Sequence, residues 1–255
     1  MRGLNGKVAV VAGGAGGIGT ATSIRLAEEG ARVVVGDLDE QSAKGVAEEI
    51  ARRGGTAIAI PFDISVEDDV AGLVARAVEE FGGVDVVHAN AADLSPGTIG
   101  QDSDATQIDL EVFDRTMQVN MRGHLLCARH AIPEFLKRGG GALVFTSSVA
   151  AFAGEPERPA YAMAKSANNA LVRHIASRWG KDGIRANAVA PGLVLTGPVR
   201  DSLSAEFREQ VLGMSRSPRL GAPEDIAAMV AFLASEDGEW INGQVFSVDG
   251  GTILR

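Results

Sequence analysis

The chain has 255 residues, 45% of them hydrophobic and 22% charged, with 32 glycines against 9 prolines. That balance describes a globular chain with many tight turns and excludes a flexible low-complexity one. The net charge of −9 opposes binding to phosphate backbones, and Cys127, the only cysteine, can form neither an internal disulfide nor a cysteine metal cluster.

Short β-branched runs alternate with helical patterns from end to end. Residues 7–12 predict a buried strand, then a glycine turn and a helix over 18–30. Strands follow at 32–37, 56–61 and 84–89, with helices at 40–53 and 66–81 between them. Residues 110–138 predict one long helix, bent near Gly123 and Pro133. Next come a strand at 142–146, a helix at 159–180 and a strand at 185–190. A helix at 223–235 and a strand at 244–248 close the chain. Strands apolar on both faces, separated by helices, predict a doubly wound parallel sheet of seven strands with helices on both sides.

No linker or repeat divides the sequence, so residues 1–255 are expected to form one domain. Two irregular segments stand out, 93–109 and 192–219, the second with a short helix at 198–212. Loops at strand ends carry function in such sheets. Residues 1–7 lack the apolar core of a secretion signal, and no apolar run approaches the roughly 20 residues that span a bilayer. A cytoplasmic protein with no membrane partner is expected.

The first turn reads Ala12-Gly13-Gly14-Ala15-Gly16-Gly17-Ile18-Gly19 and opens a helix. Glycines let the backbone approach a pyrophosphate, and the helix N-terminus offers free N–H groups. Asp37 ends the next strand, where a carboxylate accepts from adenosine ribose hydroxyls. It would repel a 2′-phosphate by roughly 4 kcal/mol at about 4 Å and an effective dielectric of about 20. Leu38 offers no compensating cation, so NAD is expected over NADP. The plainer alternative makes Asp37 a cap for the following helix.

Tyr161 is the only tyrosine, and Lys165 follows four residues later, on the same helix face. A free phenol is about 0.1% ionised at pH 7. Lowering its pKa by about three units takes roughly 4 kcal/mol, which a nearby ammonium can supply. The pair is a candidate general acid/base. Ser148, just past the fifth strand, could hydrogen-bond a substrate oxygen; Ser147 is its competitor, more suited to facing away or capping the turn.

These features resemble the short-chain dehydrogenase/reductase family over essentially the whole chain. The match runs through Gly13, Gly17 and Gly19, Asp63, Asn90-Ala91, Asn120, Ser148 with Tyr161-Ala162-Met163-Ala164-Lys165, Pro191-Gly192 with Thr196, and Val248-Asp249-Gly250-Gly251. The resemblance implies a single-domain Rossmann fold and hydride transfer between NAD and a secondary alcohol or ketone. Tyr161 would be the acid/base, Ser148 would orient the substrate oxygen, Lys165 would tune the tyrosine and hold the nicotinamide ribose, and Asn120 would fix a relay water. Asp63 and the backbone of Ile64 would meet the adenine, with Asn90 beside the cofactor and Ile18 bridging phosphates to nicotinamide. Val189, Pro191, Gly192, Val194 and Thr196 would line the nicotinamide end, and Leu38 would flank the adenosine. The family also implies a homotetramer, consistent with the apolar stretch 244–255. Two positions depart from the pattern: Ala12 replaces a usual threonine, and Ala89-Asn90-Ala91-Ala92 replaces Asn-Asn-Ala-Gly. Both put hydrogen bonding between strands in doubt.

The segments 93–109, 150–159 and 192–219 should form the substrate pocket, with Leu94, Phe152, Leu193, Val194, Leu195, Val199 and Leu203 as apolar lining. That suits a cyclic, terpenoid or steroid-like molecule. A 3-oxoacyl thioester or a sugar alcohol is the enzymatic alternative, and a dinucleotide sensor or scaffold the non-enzymatic one. The four histidines show no metal-ligand spacing, so no metal is expected. Trp179 and Trp240 read as core or interface, and Cys127 as buried and inert.

Overall fold

The computed structural model describes residues 1–197 and 203–254. Seven parallel strands form one sheet in the order β3-β2-β1-β4-β5-β6-β7. They are β1 (Val8–Ala12), β2 (Arg32–Asp37), β3 (Thr56–Pro61), β4 (Val86–Ala89), β5 (Gly141–Thr146), β6 (Ile184–Pro191) and β7 (Val245–Val248). The helices are α1 (Gly17–Glu28), α2 (Glu40–Arg52), α3 (Glu67–Phe81), α4 (Leu110–Met117), α5 (Gly123–Lys137), α6 (Pro159–Trp179), α7 (Ala205–Met214) and α8 (Pro223–Ala234). This is the doubly wound sheet that the alternating pattern predicts.

Alternation along each strand builds two cores. Val8, Val10 and Ala12 join Leu73 of α3, Phe135 of α5 and Val172 of α6. Ala9 and Val11 turn the other way, toward Leu26 of α1, Ile50 of α2 and Ala231 of α8. Because both faces are covered, β1 is buried at every position. Strand order reverses between β1 and β4, so the ends at Ala12, Ala89, Thr146 and Pro191 share one rim where crossovers leave a crevice.

Two expectations need correction. The long helix is not bent smoothly: α4 and α5 are joined by a π-helical segment, Gln118–Arg122, while α5 continues through Pro133. The irregularity thus falls one turn before Gly123, where a Cβ would meet the Ile64 carbonyl oxygen at 2.9 Å. Within 198–212, the described helix starts at Ala205 under a Ser204 cap and runs on to Met214; Pro198 and Val199 lie outside the described residues, as does Arg255. Of the two tryptophans, Trp179 packs against a core and Trp240 is 99% exposed on the single chain.

Candidate active site

The glycine turn folds as its composition requires. Gly13 has a φ of +83°, and a Cβ there would stand 2.6 Å from Ala91 Cα. At Gly19 a Cβ would lie 1.8 Å from the Gly13 oxygen, and at Gly17 it would strike Thr196. Thr196 therefore rests on the first residue of α1, bringing the segment after β6 onto the turn. No side chain caps α1 and its first turn holds no carboxylate, so its leading N–H groups suit an anion. Ile18 is half-buried against Val144, Val189 and Val194.

Asp37 serves the same turn. Its carboxylate accepts from Ala15 N–H at 2.9 Å and from Asp39 N–H at 3.2 Å. The cap of α2 is Asp39, which accepts from Ser42, so the cap reading of Asp37 falls. Leu38 beside it is 69% exposed. Asp63 closes a tight turn, accepting from both the N–H and the hydroxyl of Ser65, and Ile64 is buried against Gly123.

The departures at residues 12 and 89–92 leave the strand ends tied. Asn90 donates to Gly13 O at 2.9 Å and accepts from the Thr146 hydroxyl at 2.9 Å. The buried His88 ring meets the same hydroxyl at 2.8 Å. At the far side Gly192 donates to Val248 O. Pro191 ends β6 beside Val248, and Val194 bridges to Gly221.

The four residues singled out for chemistry converge on this rim. Ser148 follows β5 and caps a short turn through Ala150 N–H; its hydroxyl also lies close enough to pull the Tyr161 phenol down. Ser147 faces away, donating to Lys165 O. The Lys165 ammonium, 1% exposed, donates to Thr146 O at 2.8 Å and lies 5.6 Å from the Tyr161 ring centre. Asn120 is wholly buried in the π-helical segment, and its side-chain oxygen accepts from Asp93 N–H. Among the described residues its side-chain nitrogen finds no hydrogen-bond partner, so a buried donor is left unsatisfied.

Burial dominates the electrostatics of the Tyr161–Lys165 pair. It raises the Tyr161 phenol above its ordinary value, with the Ser148 hydroxyl pulling down. Burial also pushes Lys165 down to about 7. In the protein alone the lysine is bound to a main-chain oxygen, and burial outweighs the neighbouring groups in setting the phenol. Composition and spacing carry no information about burial.

Sequence reasoning missed several groups around these four. His124 and Asn168 are buried polar residues touching each other, and Asn168 also donates to the Asn120 main-chain oxygen. Asp102 accepts from Tyr161 N–H. Arg115 pairs with Asp93. An aspartate inside a long polar loop was the only available signal, and its partner lies 59 residues away. Cys127 is free and buried, its thiol pushed up to about 12. No group of three or more metal-ligating side chains occurs among the described residues.

Comparison with known proteins agrees with this geometry. Residues 13–252 match a family model described as enoyl-(acyl carrier protein) reductase. A protein of Bradyrhizobium diazoefficiens, named a probable short-chain type dehydrogenase/reductase, is 42% identical over 99% of this chain and 89% of its own length. The chain belongs to the short-chain dehydrogenase/reductase family. Another relative, the cis-4-hydroxycyclohexanecarboxylate dehydrogenase of Sinomonas cyclohexanicum, is 38% identical over 96% of each chain. Among solved structures, a 7α-hydroxysteroid dehydrogenase complexed with NADH and 7-oxo glycochenodeoxycholic acid superimposes with a TM-score of 0.92. It is 33% identical, over 100% of this short-chain dehydrogenase/reductase and 96% of that chain.

Proposed function

We propose that this protein is an NAD-dependent dehydrogenase interconverting a secondary alcohol and its ketone on a cyclic, terpenoid or steroid-like substrate. The observation that carries the reading is the Tyr161 phenol, placed beside Ser148 and Lys165 at the carboxyl ends of the strands. Two relatives named for cyclic or steroid alcohols support the substrate class.

The residues present fit a dinucleotide. The uncapped start of α1 and the glycine cradle at Gly13, Gly17 and Gly19 would hold the pyrophosphate. Asp37 keeps acceptor capacity for ribose hydroxyls beyond its two backbone bonds, and Leu38, Asp63, Ile64 and Asn90 would flank the adenosine side. Ile18, Pro191, Gly192, Val194 and Thr196 would border the nicotinamide. When bound, NAD supplies the carbon that accepts or returns a hydride.

The chain's own part is proton transfer and positioning. Ser148 holds the substrate oxygen, and Tyr161 takes its proton in oxidation or gives one in reduction. Lys165, with N–H groups beyond the one on Thr146 O, would hold the nicotinamide ribose. The unpartnered nitrogen of Asn120 would bind the water that passes the proton outward. A phenol raised by burial is protonated at neutral pH, so it is set to donate to a ketone, and alcohol oxidation should quicken as pH rises.

Tyr161→Phe tests the reading. NADH binding, followed by fluorescence, should persist while turnover on a panel of cyclic and steroid alcohols falls by about 10³-fold or more. Turnover near that of the unmodified enzyme would refute it. Adding a 3-oxoacyl thioester to the panel separates the substrate class from the carrier-linked chemistry of the matched family's description. A homotetramer belongs to the same proposal: β7 is an edge strand, Leu254 beside it is exposed, and Trp240 is exposed as well. Light scattering giving the mass of a single chain would remove that part.

A further inference from the structure

We infer that Asp102 is a positioning residue for Tyr161, acting as the N-terminal cap of α6 from a distant loop. The inference rests on Tyr161 being the acid/base proposed above.

Helix α6 begins without local help. The residue before it, Arg158, gives no side-chain cap and sits at a φ of +66°, the only non-glycine residue in the left-handed region among those described. Its guanidinium is engaged by Glu155. The first turn of α6 holds no acidic residue. Yet the N–H groups of the second and third helical residues are satisfied. Ala160 N–H donates to Asp102 Oδ1 at 3.2 Å, and Tyr161 N–H donates to Asp102 Oδ2 at 2.8 Å. Arg158 N–H donates to the main-chain oxygens of Asp102 and Ser103, at 3.0 and 2.9 Å. Asp102 is 3% exposed. Its carboxylate thus performs the work of a capping side chain, and its charge suits the positive end of the helix.

The consequence is geometric. The Asp102 carboxylate is bonded to the main chain of Tyr161 itself, so moving this cap moves the phenol's anchor. The same loop is fastened at its other end, where Asp93 N–H donates to Asn120 Oδ1 at 3.1 Å and the Asp93 carboxylate binds Arg115. The segment between Asp93 and Asp102 is therefore attached to two residues of the site, and Leu94 within it is exposed. Asp102 touches neither substrate nor cofactor in this assignment; it acts through Tyr161. Misplacement of a reacting group by about 1 Å can cost on the order of a hundredfold in rate.

The test compares Asp102→Ala, Asp102→Asn and Asp39→Ala with the unmodified enzyme, using NAD and its best alcohol from a panel of cyclic and steroid alcohols. Asp39 caps α2 in the ordinary local way and controls for loss of any cap. Asp102→Ala should lower kcat on the order of ten- to a hundredfold, leave KM for NAD within about twofold, and speed hydrogen exchange at residues 160–162. Asp102→Asn, whose single amide oxygen can accept from only one of the two N–H groups, should lose kcat severalfold, less than Asp102→Ala, and Asp39→Ala should leave kcat unchanged. If Asp102→Ala does not fold, Asp102→Asn decides: a severalfold loss of kcat with faster exchange at 160–162 supports the inference, and both at their original values overturn it. A folded Asp102→Ala at full kcat, with Tyr161→Phe inactive, overturns this inference alone. An active Tyr161→Phe overturns the assignment of Tyr161 beneath it.

Discussion

The side-chain nitrogen of Asn168 stands 2.9 Å from the main-chain oxygen of Asn120. Its second hydrogen meets His124 Nδ1 at 3.0 Å, and the opposite nitrogen of that ring lies 2.9 Å from Ala91 O. One arrangement satisfies all three contacts: Asn168 donates twice, His124 accepts at Nδ1, and its Nε2–H donates to Ala91. A neutral histidine and an amide thereby brace the π-helical segment that carries Asn120.

Asn168→Leu keeps the volume and removes both donors. The Asn120 oxygen and His124 Nδ1 would then be buried without partners, at a cost of about 1–3 kcal/mol each. Urea denaturation should show a clearly lowered midpoint. An unchanged midpoint would mean that water replaces the amide.

Stability should also fall in mild acid. Burial pushes both His88 and His124 down to about 3, helped by the Lys165 charge. Unfolded histidine titrates near 6.5, so below that pH the unfolded chain takes up protons that the folded one refuses. The stabilisation is complete above about pH 6.5 and declines toward pH 3, by up to about 1.4 kcal/mol per pH unit for each ring. Denaturation at pH 7, 6 and 5 would reveal the slope, and His124→Phe should remove about half of it. A flat profile over that range would contradict the burial of neutral rings.

Lys165 trades stability for function. Its pKa is pushed down to about 7, so between that value and about 10.5 the unfolded chain binds a proton the folded one does not, and stability is lost as pH falls through this window. Lys165→Met removes that penalty and also the bond to Thr146 O. The cofactor-free variant should match or exceed the original stability at pH 7, by about 1–3 kcal/mol, while turnover disappears. A marked drop in melting temperature would show that the ammonium is better solvated than its burial implies.

Coenzyme choice should follow residues 37 and 38. Asp37→Ser retains an acceptor for Ala15 N–H while removing the charge, and Leu38, already exposed, can become arginine without disturbing the core. The double variant should raise kcat/KM with NADP tenfold or more and lower it with NAD. No change in the NADP constant would place the discriminating charge elsewhere.

Local pattern was enough to specify much of this short-chain dehydrogenase/reductase. The alternation of Val8 to Ala12, the glycines at 13, 17 and 19, Asp37 at a strand end and the Tyr161–Lys165 spacing each depend on neighbours within a few residues, where strand and helix periods are written directly in the order of side chains. Tertiary structure alone decided that Asp102 caps the helix of Tyr161, that His124 and Asn168 brace Asn120, and that burial raises the phenol and lowers the lysine. Those outcomes depend on groups tens of residues apart in the chain and on how much water each one loses, and both are settled only when the sheet closes its helices around them.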